Sequence, residues 1–330
     1  MTPKSTPSIL IYGGGSIGAA CAYLLSKSVP EKTIYAVCRS NYEVASRHGF
    51  TINSEIWGLG HGIRPNIVRS VQEAVQLHGS SFDYILVTTK AVGMKTATEH
   101  PIQPALTRHS TIVIIQNGVR IEDPFRRIFP ENPIVSVVMY TPLTQTAPGV
   151  FYHHLLDNIL LGTFPSQAPL QHKEAAERLC QMFSIGGAKA KHEEDIQAER
   201  WKKLLINASL NPICALANLP DARFLQTAKG ATKFARDVMV EVAATARAAG
   251  YEAITDDVVE SQLRVVTSRK LPGVEPSMMA DAISRRQMEA DALLGNVMDI
   301  AKENDVEVPI VSTLYYLVNG LNHSFGQAKG

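Results

Sequence analysis

The sequence of 330 residues has few cysteines, no excess of charge of either sign and no long apolar run. The four cysteines are Cys21, Cys38, Cys180 and Cys214. No two of them have C-x-x-C spacing or form a disulfide framework, so we expect a reducing compartment. No uninterrupted apolar run reaches the ~18 residues that a membrane span needs, and the first residues contain no apolar signal segment. These absences together predict a cytoplasmic protein.

Charge and motifs exclude several classes of function. Lys and Arg number 32 and Asp and Glu number 31, so no long-range field favours nucleic acid or an anionic membrane. The sequence has no H-E-x-x-H or other metal-ligand spacing, no G-x-S-x-G and no P-loop lysine. His153 and His154 are neighbours, and on a strand they would point to opposite faces. We therefore expect no metal, no nucleic acid and no membrane, and a small molecule as the partner.

A glycine-rich turn near the amino terminus is the first positive signal. An apolar run at residues 8–12 leads into G-x-G-x-x-G, a helical segment and a second apolar run at 33–37. In this pattern the first glycine makes the turn, the second lets backbone approach a pyrophosphate and the third lets helix pack on strand. Backbone N–H groups at the helix start hold the phosphates. The expected cofactor contacts are Gly13, Gly15, Ser16, Ile17 and Gly18.

The end of the second run indicates which dinucleotide binds. NAD enzymes place Asp or Glu there for the ribose 2′-hydroxyl, and NADP enzymes use Arg for the 2′-phosphate. This chain has Cys38, Arg39 and Ser40, and Glu43 lies further on. We therefore expect NADP(H), with the planar Arg39 guanidinium on the phosphate. An exposed loop arginine without a ligand is the alternative.

Two more apolar runs, at residues 83–88 and 111–115, each lead into a polar turn. Ligands of doubly wound sheets lie beyond the carboxyl ends of the strands, so we expect Lys90 and Asn117 beside the cofactor. Asn117-Gly118 is also an ordinary turn dipeptide, and a lysine in a turn is often merely solvated. Position alone leaves both interpretations open.

The remaining pattern changes from mixed to helical near residue 190. We predict a strand at 134–140, a hairpin at 149–164 and a helix at 173–183, followed by helical segments at 194–216, 222–250, 256–268, 277–304 and after Pro309. The expected fold is an α/β Rossmann-type domain with a parallel-dominated sheet over residues 1–190 and an all-α domain over 191–330. We expect the cofactor on the first domain and the substrate and catalytic groups on the second.

The segment from Arg200 to Pro212 has polar residues where a buried helix should have none. Lys203, Asn207 and Asn211 follow each other at intervals of four and form one narrow stripe on an otherwise apolar helix. Buried amide and ammonium groups cost free energy unless they are paired, so a ligand is a candidate partner. Alternatively the lysine reaches solvent and the asparagines bind loop backbone. We also expect Pro212 to kink or interrupt this helix.

A second polar anomaly is Glu289, which shares a predicted helical face with core-type residues. A carboxylate there needs a partner, and Lys203 is a candidate by chemistry. Arg285 and Arg286 are alternatives because they are neighbours in sequence. Ser277 follows Pro276 at a helix start and is predicted to be an N-cap.

Taken together these motifs resemble the ketopantoate reductase (2-dehydropantoate 2-reductase) family, from Ile9 to about Leu317. The segments that carry the resemblance are the glycine turn with Arg39, Lys90 and the Gln116-Asn117-Gly118 turn, Trp201-x-Lys203-x-x-x-Asn207-x-x-x-Asn211-Pro212, and Ser277-Met278-x-x-Asp281 followed by Glu289-x-Asp291. Two positions depart from the family pattern. Leu294-Gly295-Asn296 stands where the family commonly has Asn-Gly, and Pro276 replaces a frequent Ser or Thr.

The resemblance implies a reaction and roles. Lys203 would be the general acid, and Glu289 would orient it and the substrate. Asn117, Asn207, Asn211 and Ser277 would bind substrate, Asn117 also lying near the nicotinamide. The implied reaction is NADPH-dependent reduction of 2-dehydropantoate to pantoate, in pantothenate and coenzyme A biosynthesis. Reduction of another 2-oxo acid and a non-catalytic NADP(H) sensor are the alternatives, and a homodimer stays open.

Overall fold

The computed structural model describes residues 6–93, 97–154 and 156–327, and the chain divides into two compact units. The first unit comprises Met1–Thr89, Gly93–Gln116 and Glu122–Ile196. The second comprises Lys90–Val92, Asn117–Ile121 and Gln197–Gly330. Two short segments that directly follow strands of the first unit, with Lys90 and Asn117 in them, therefore group with the second.

The strands of the first unit form two sheets. In chain order they are β1 (Ile9–Tyr12), β2 (Ile34–Val37), β3 (Phe50–Ser54), β4 (Gly58–Ile63), β5 (Asn66–Val68), β6 (Tyr84–Val87), β7 (Thr111–Ile114), β8 (Ile134–Tyr140), β9 (Leu143–Ala147), β10 (Val150–His153), β11 (Asn158–Thr163) and β12 (Lys189–His192). The main sheet has the order β12-β11-β8-β7-β6-β1-β2-β5. Among the described strands of this sheet, only β8 and β11 pair antiparallel. The parallel-dominated Rossmann-type sheet is thus confirmed.

The central strands are buried along their whole length. Every residue of β2, β6 and β7 is buried, and these strands consist largely of Ile, Val and Leu. Parallel strands covered on both faces carry continuous apolar runs instead of alternation. This property made them recognisable in the sequence.

A second, four-stranded sheet has the order β4-β3-β10-β9. The predicted hairpin at 149–164 is therefore wrong, because β10 pairs with β3 and β9 while β11 pairs with β8 and β12. The alternation of apolar and polar residues in β10 and β11 was visible in the sequence, but each strand pairs with strands outside the predicted hairpin. Strand β4, with the sequence GLGHGI, is largely exposed and has no apolar face that could have predicted it.

The helices of the first unit are α1 (Ser16–Leu25), α2 (Tyr42–His48), α3 (Val71–His78), α4 (Asp123–Ile128) and α5 (Leu170–Ile185), with short 3₁₀ turns at Glu31–Thr33 and Gln103–Ala105. Helix α1 is buried from Gly18 to Leu25. It contacts β1 and β2 of the main sheet, β3 and β9 of the second sheet, and α5. This packing holds the start of α1 at the carboxyl end of β1.

The second unit is helical, as predicted. Its elements are α6 (Ile196–Ala217), α7 (Asp221–Leu225), α8 (Ala231–Ala248), α9 (Asp256–Thr267), α10 (Ser277–Ile283), a π-helical turn at Asp291–Gly295, α11 (Asn296–Glu303) and α12 (Pro309–Gln327). An apolar core formed by α6, α8, α9, α11 and α12 holds them together. No helix among the described residues has the length and apolar character that crossing a bilayer requires.

Two details of the helical prediction are wrong. The segment 222–250 is divided between α7 and α8, and the segment 277–304 is broken after α10. The second break lies where Arg285 adopts a left-handed φ of 50°, which a helix interior cannot contain. Pro212 lies inside α6, which continues to Ala217, so the helix is not interrupted there, and the kink stays a prediction. The surrounding apolar packing offsets the one backbone hydrogen bond that proline removes.

Candidate active site

The three glycines of the first turn have three different environments. A Cβ on Gly13, whose φ is 127°, would lie 2.8 Å from Thr88 Oγ1. A Cβ on Gly18 would lie 1.9 Å from the Gly13 carbonyl oxygen, so only glycine lets α1 approach the turn. At Gly15, apart from its chain neighbours, no heavy atom of the described residues lies within 4 Å of such a position. The turn is therefore closely packed at its first and third glycines and open at its second.

The start of α1 fits a phosphate group. Its cap residue Gly15 offers no side-chain hydrogen bond, and the first turn contains no acidic residue. The first N–H groups of a helix, here those of Ser16 and Ile17, have no acceptor within the helix and carry its positive dipole end. Open space at Gly15 in front of these donors is what a pyrophosphate requires.

The turn after β2 is connected to the glycine turn by a residue that the sequence analysis missed. Asn41 is buried, and its Nδ2 donates to the Gly14 carbonyl oxygen at 2.9 Å. Gln145 Nε2 donates to Asn41 Oδ1 at 2.7 Å. Arg39 is exposed, and its guanidinium makes no hydrogen bond or ion pair with any residue that the structure describes. The hydrogen bonds of Asn41 thus connect the turn that carries the exposed arginine to the glycine turn and to Gln145.

A polar cluster occupies the second unit, with Lys203 of α6 in it. Lys203 Nζ donates to Asn117 Oδ1 at 2.9 Å. The pKa of Lys203 is lowered from its ordinary 10.5 to about 8. Burial is the main cause and the positive charge of Arg200 adds to it, whereas the negative charge of Glu289 acts in the opposite direction. An ammonium group with that pKa is still mostly protonated at neutral pH and gives up its proton readily.

The two asparagines of the stripe differ from ordinary buried amides. Asn211 is 5% exposed and Asn207 is partly buried. Neither side-chain amide makes a hydrogen bond to any part of the chain that the structure describes. Buried polar groups are nearly always paired, so amides of this kind indicate a ligand or ordered water. The alternative in which these asparagines bind loop backbone is therefore wrong for the residues that the structure describes.

Glu289 lies beside this cluster and is itself held by backbone. Its Oε1 accepts a hydrogen bond from Ala91 N at 2.8 Å. Burial raises the pKa of Glu289, whereas that hydrogen bond and the charges of Lys90 and Lys203 lower it. Neither neighbouring arginine is its partner, because the Arg286 Nε donates to Asp281 Oδ1 at 3.1 Å and Arg285 donates to the Ser324 carbonyl oxygen.

Lys90 has a protein partner in the same unit. Its ammonium group forms an ion pair with the buried carboxylate of Asp281, and Asp281 also pairs with Arg286. A cofactor role for Lys90 stays a prediction. Ser277 is the first residue of α10 and Pro276 takes the N-cap position, so the predicted N-cap is wrong by one residue. Ser277 is exposed.

The turn that presents Asn117 is fixed by close packing. Gly118 has a φ of 105°, and a Cβ there would lie 2.2 Å from the Ala292 carbonyl oxygen in the π-helical turn. Asn296 Nδ2 donates to the Val119 carbonyl oxygen at 2.8 Å. Asn296 stands where the sequence departs from the family pattern, and this hydrogen bond is its structural role.

Two family models match the chain. The model described as Ketopantoate reductase PanE/ApbA matches residues 9–166, and the one described as Ketopantoate reductase PanE/ApbA C terminal matches residues 195–322. Together they cover most of the 330 residues.

Individual relatives cover nearly the whole chain. An uncharacterized protein of Saccharomyces cerevisiae is 29% identical, over 98% of this chain and 95% of its own. A 2-dehydropantoate 2-reductase of Mesorhizobium japonicum is 26% identical, over 95% and 97%.

Solved structures agree with these matches. The crystal structure of 2-dehydropantoate 2-reductase from Methylococcus capsulatus is similar with a TM-score of 0.82 and 27% identity, over 96% of this chain and 97% of that one. A D-mandelate dehydrogenase with NADH and anilino(oxo)acetate is similar in fold, with a TM-score of 0.83 and 22% identity over 97% and 99%. The chain is therefore an oxidoreductase with an NADP(H)-binding Rossmann-type fold, and it belongs to the ketopantoate reductase family.

Proposed function

We propose that the chain reduces 2-dehydropantoate to pantoate with NADPH. The observation that carries this proposal is the Lys203 ammonium, largely buried, bonded to Asn117 and flanked on its own helix by the amides of Asn207 and Asn211. A proton donor on the same helix as amides that bind none of the described residues is what reduction of a polar carbonyl needs. When bound, NADPH supplies the hydride for the C2 carbonyl carbon.

Lys203 acts as general acid in this proposal. As C2 is reduced, negative charge grows on the former carbonyl oxygen. The Lys203 ammonium stabilises that charge and transfers a proton from Nζ to the oxygen, which forms the hydroxyl group of the product. A pKa of about 8 supports this role, because the ammonium group is charged at neutral pH and yet holds its proton weakly.

The substrate's other polar groups are bound by the remaining residues. Asn207, Asn211 and Ser277 hold its carboxylate and hydroxyl, and Asn117 lies at the keto group, where it orients Lys203. Glu289 contributes negative charge that keeps Lys203 protonated despite its burial. Its own orientation is fixed by the Ala91 N–H group.

The cofactor proposal assigns NADPH and not NADH to the first unit. Gly13, Gly15 and Gly18 with the N–H groups of Ser16 and Ile17 hold the pyrophosphate, and Arg39 binds the 2′-phosphate. The open space at Gly15 and the exposed Arg39 guanidinium support this assignment. The second unit is then the substrate and catalytic domain. Lys90 binds near the cofactor in this proposal, as its place after β6 predicts.

Reduction of another branched or aromatic 2-oxo acid is the second candidate. The D-mandelate dehydrogenase neighbour shares the fold. In this candidate Lys203 is still the proton donor, and the residues that contact the substrate's side chain select a different 2-oxo acid. If the substrate is 2-dehydropantoate, we expect the protein to act in the cytoplasm, in coenzyme A biosynthesis. We also expect a homodimer, like the dimeric ketopantoate reductase among the structural neighbours.

Steady-state kinetics separate the candidates. We would measure kcat/KM for NADPH oxidation with ketopantoate, pyruvate, 2-oxoisovalerate and phenylpyruvate, in the wild type and in Lys203→Ala. The proposal expects preference for ketopantoate and loss of ~10²–10⁴-fold in kcat in the variant with NADPH affinity retained. Preference for another 2-oxo acid would overturn the substrate, and near wild-type turnover of Lys203→Ala would overturn the mechanism.

A further inference from the structure

Helix α6 carries a second cation close to Lys203. Arg200 precedes Lys203 by three residues, which places the two side chains on neighbouring positions of the same helical face. Arg200 is only 3% exposed. Two cations buried this close together repel each other, and a fold that keeps such an arrangement has to offset the cost. Arg200 is therefore not explained as an arginine that reaches solvent, and its contacts inside the protein have to account for its position.

Arg200 contacts the turn that presents Asn117. Its Nη1 donates a hydrogen bond to the Gly118 carbonyl oxygen at 3.2 Å. Lys203 Nζ donates to Asn117 Oδ1 at 2.9 Å. Two successive residues of one turn are thus bound by two basic residues one helical turn apart. The turn cannot move away easily, because Gly118 lies against the π-helical turn with no room for a Cβ.

Two charges of the second unit act on Lys203 directly. Arg200 on α6 opposes the protonated form, and Glu289, just before the π-helical turn, favours it. Glu289 in turn is influenced by Lys90 and by Asp281 of α10. The positive charge of Arg200 therefore opposes the effect that the Glu289 carboxylate has on the protonated form of Lys203.

We propose that Arg200 is a positioning residue for the general acid, and that its hydrogen bond to the Gly118 carbonyl oxygen holds the Asn117–Gly118 turn against Lys203. The positive charge of Arg200, one helical turn away on α6, also opposes the protonated form of Lys203. This inference rests on the proposed function, in which Lys203 protonates the substrate oxygen. Lys203 supplies the proton, and Arg200 itself touches neither substrate nor cofactor. Its two effects, on the turn and on the charge, are separable by substitution.

The test compares Arg200→Gln, Arg200→Lys and the control Lys202→Gln. Lys202 is the neighbour of Lys203, and its side chain is 42% exposed. We would record kcat against pH with the best 2-oxo acid. The wild type should lose activity as pH rises through about 8, where Lys203 deprotonates. Without the repelling charge, Arg200→Gln should lose activity only at a pH higher by on the order of half a unit to one unit. Lys202→Gln should match the wild type.

Arg200→Lys tests the positioning effect and keeps the inference testable if Arg200→Gln fails to fold. It retains the charge, so the alkaline fall in activity should stay at the wild-type pH. A lysine reaches the Gly118 carbonyl with different geometry, so kcat/KM should fall by about 3- to 30-fold. Unchanged kcat/KM in Arg200→Lys, or an unchanged alkaline fall in a folded Arg200→Gln, would overturn the inference.

Failure of this inference differs from failure of the proposed function. If Lys203→Ala keeps its turnover, the general-acid assignment is wrong and the role of Arg200 falls with it. If Lys203→Ala is inactive while Arg200→Gln keeps the wild-type pH profile, only the role of Arg200 is wrong. A merely structural arginine would lower stability and leave the alkaline fall in place.

Discussion

Replacing Lys203 by methionine should stabilise the folded protein while it lowers kcat by ~10²–10⁴-fold. The side chain is largely buried, and its pKa is lowered from 10.5 to about 8 mainly by that burial. A lysine whose folded pKa is lowered binds its proton less tightly in the folded than in the unfolded state. The charged lysine therefore lowers the free energy of unfolding. This destabilisation is fully present below pH 8 and disappears as pH rises from about 8 to 10.5.

The magnitude follows from the lowering of the pKa. At about 1.36 kcal/mol for each pH unit, the charged lysine costs the fold about 3 kcal/mol at pH 7. By pH 9.5 about 2 kcal/mol of that cost has disappeared. Methionine has a similar shape and no charge, so it removes this dependence on pH. The variant loses the hydrogen bond to Asn117, and this loss destabilises it by about 1 kcal/mol at every pH.

Urea unfolding of the wild type and Lys203→Met at pH 7 and pH 9.5 measures this effect. The free energy of unfolding of the variant relative to the wild type should fall by about 2 kcal/mol from pH 7 to pH 9.5. Lys202→Met is the matched control, because Lys202 is well exposed and should show no such change. A difference between wild type and Lys203→Met that is the same at both pH values would refute the assignment of a buried, charged Lys203.

Three further substitutions test other parts of the structure. Arg39→Asp should lower kcat/KM for NADPH by about 10- to 100-fold while NADH use holds or improves, because a charge-assisted bond to the 2′-phosphate is replaced by repulsion; equal losses with both cofactors would count against the role of Arg39. Gly118→Ala should lower the free energy of unfolding by at least about 2 kcal/mol in urea titrations, since φ is 105° and the new Cβ has no room; a neutral result would show that this turn relaxes. Asn322 bonds both the N–H and the carbonyl oxygen of Met288, next to Glu289, so Asn322→Ala should lower kcat by about 3- to 30-fold; unchanged kcat would mean that Glu289 needs no support from α12.

Local patterns predicted much of this fold because their physical causes are local. The buried strands β1, β2, β6 and β7 are short apolar runs, and the segment from Gly13 to Gly18 has a spacing that few other structures require. The polar stripe of α6 follows from the period of a helix, which the chain keeps through Pro212. Segments whose pairing depends on distant residues were wrong or missed, as in the supposed hairpin at 149–164.

The candidate site was predictable in its residue types but not in its connections. The sequence indicated Lys203, Asn117 and Glu289 as chemically active, since polar groups in apolar helices and in turns after strands require partners. It could not assign Glu289 to the Ala91 N–H group, nor Arg286 to Asp281, because both pairings depend on the break after α10. Asn41 was missed since an asparagine next to a turn has no distinguishing periodicity.

The sequence alone determined the secondary-structure periods, the glycine turn and the set of ionisable groups, since each follows from neighbours within a few residues. The tertiary structure decided the pairing of the strands, the grouping of Lys90 and Asn117 with the helical unit, and the burial of Lys203. Burial and charge proximity arise only when distant segments pack together. For that reason the lowered pKa of Lys203 and the contact of Arg200 with Gly118 are properties of the fold, although every residue involved is visible in the sequence.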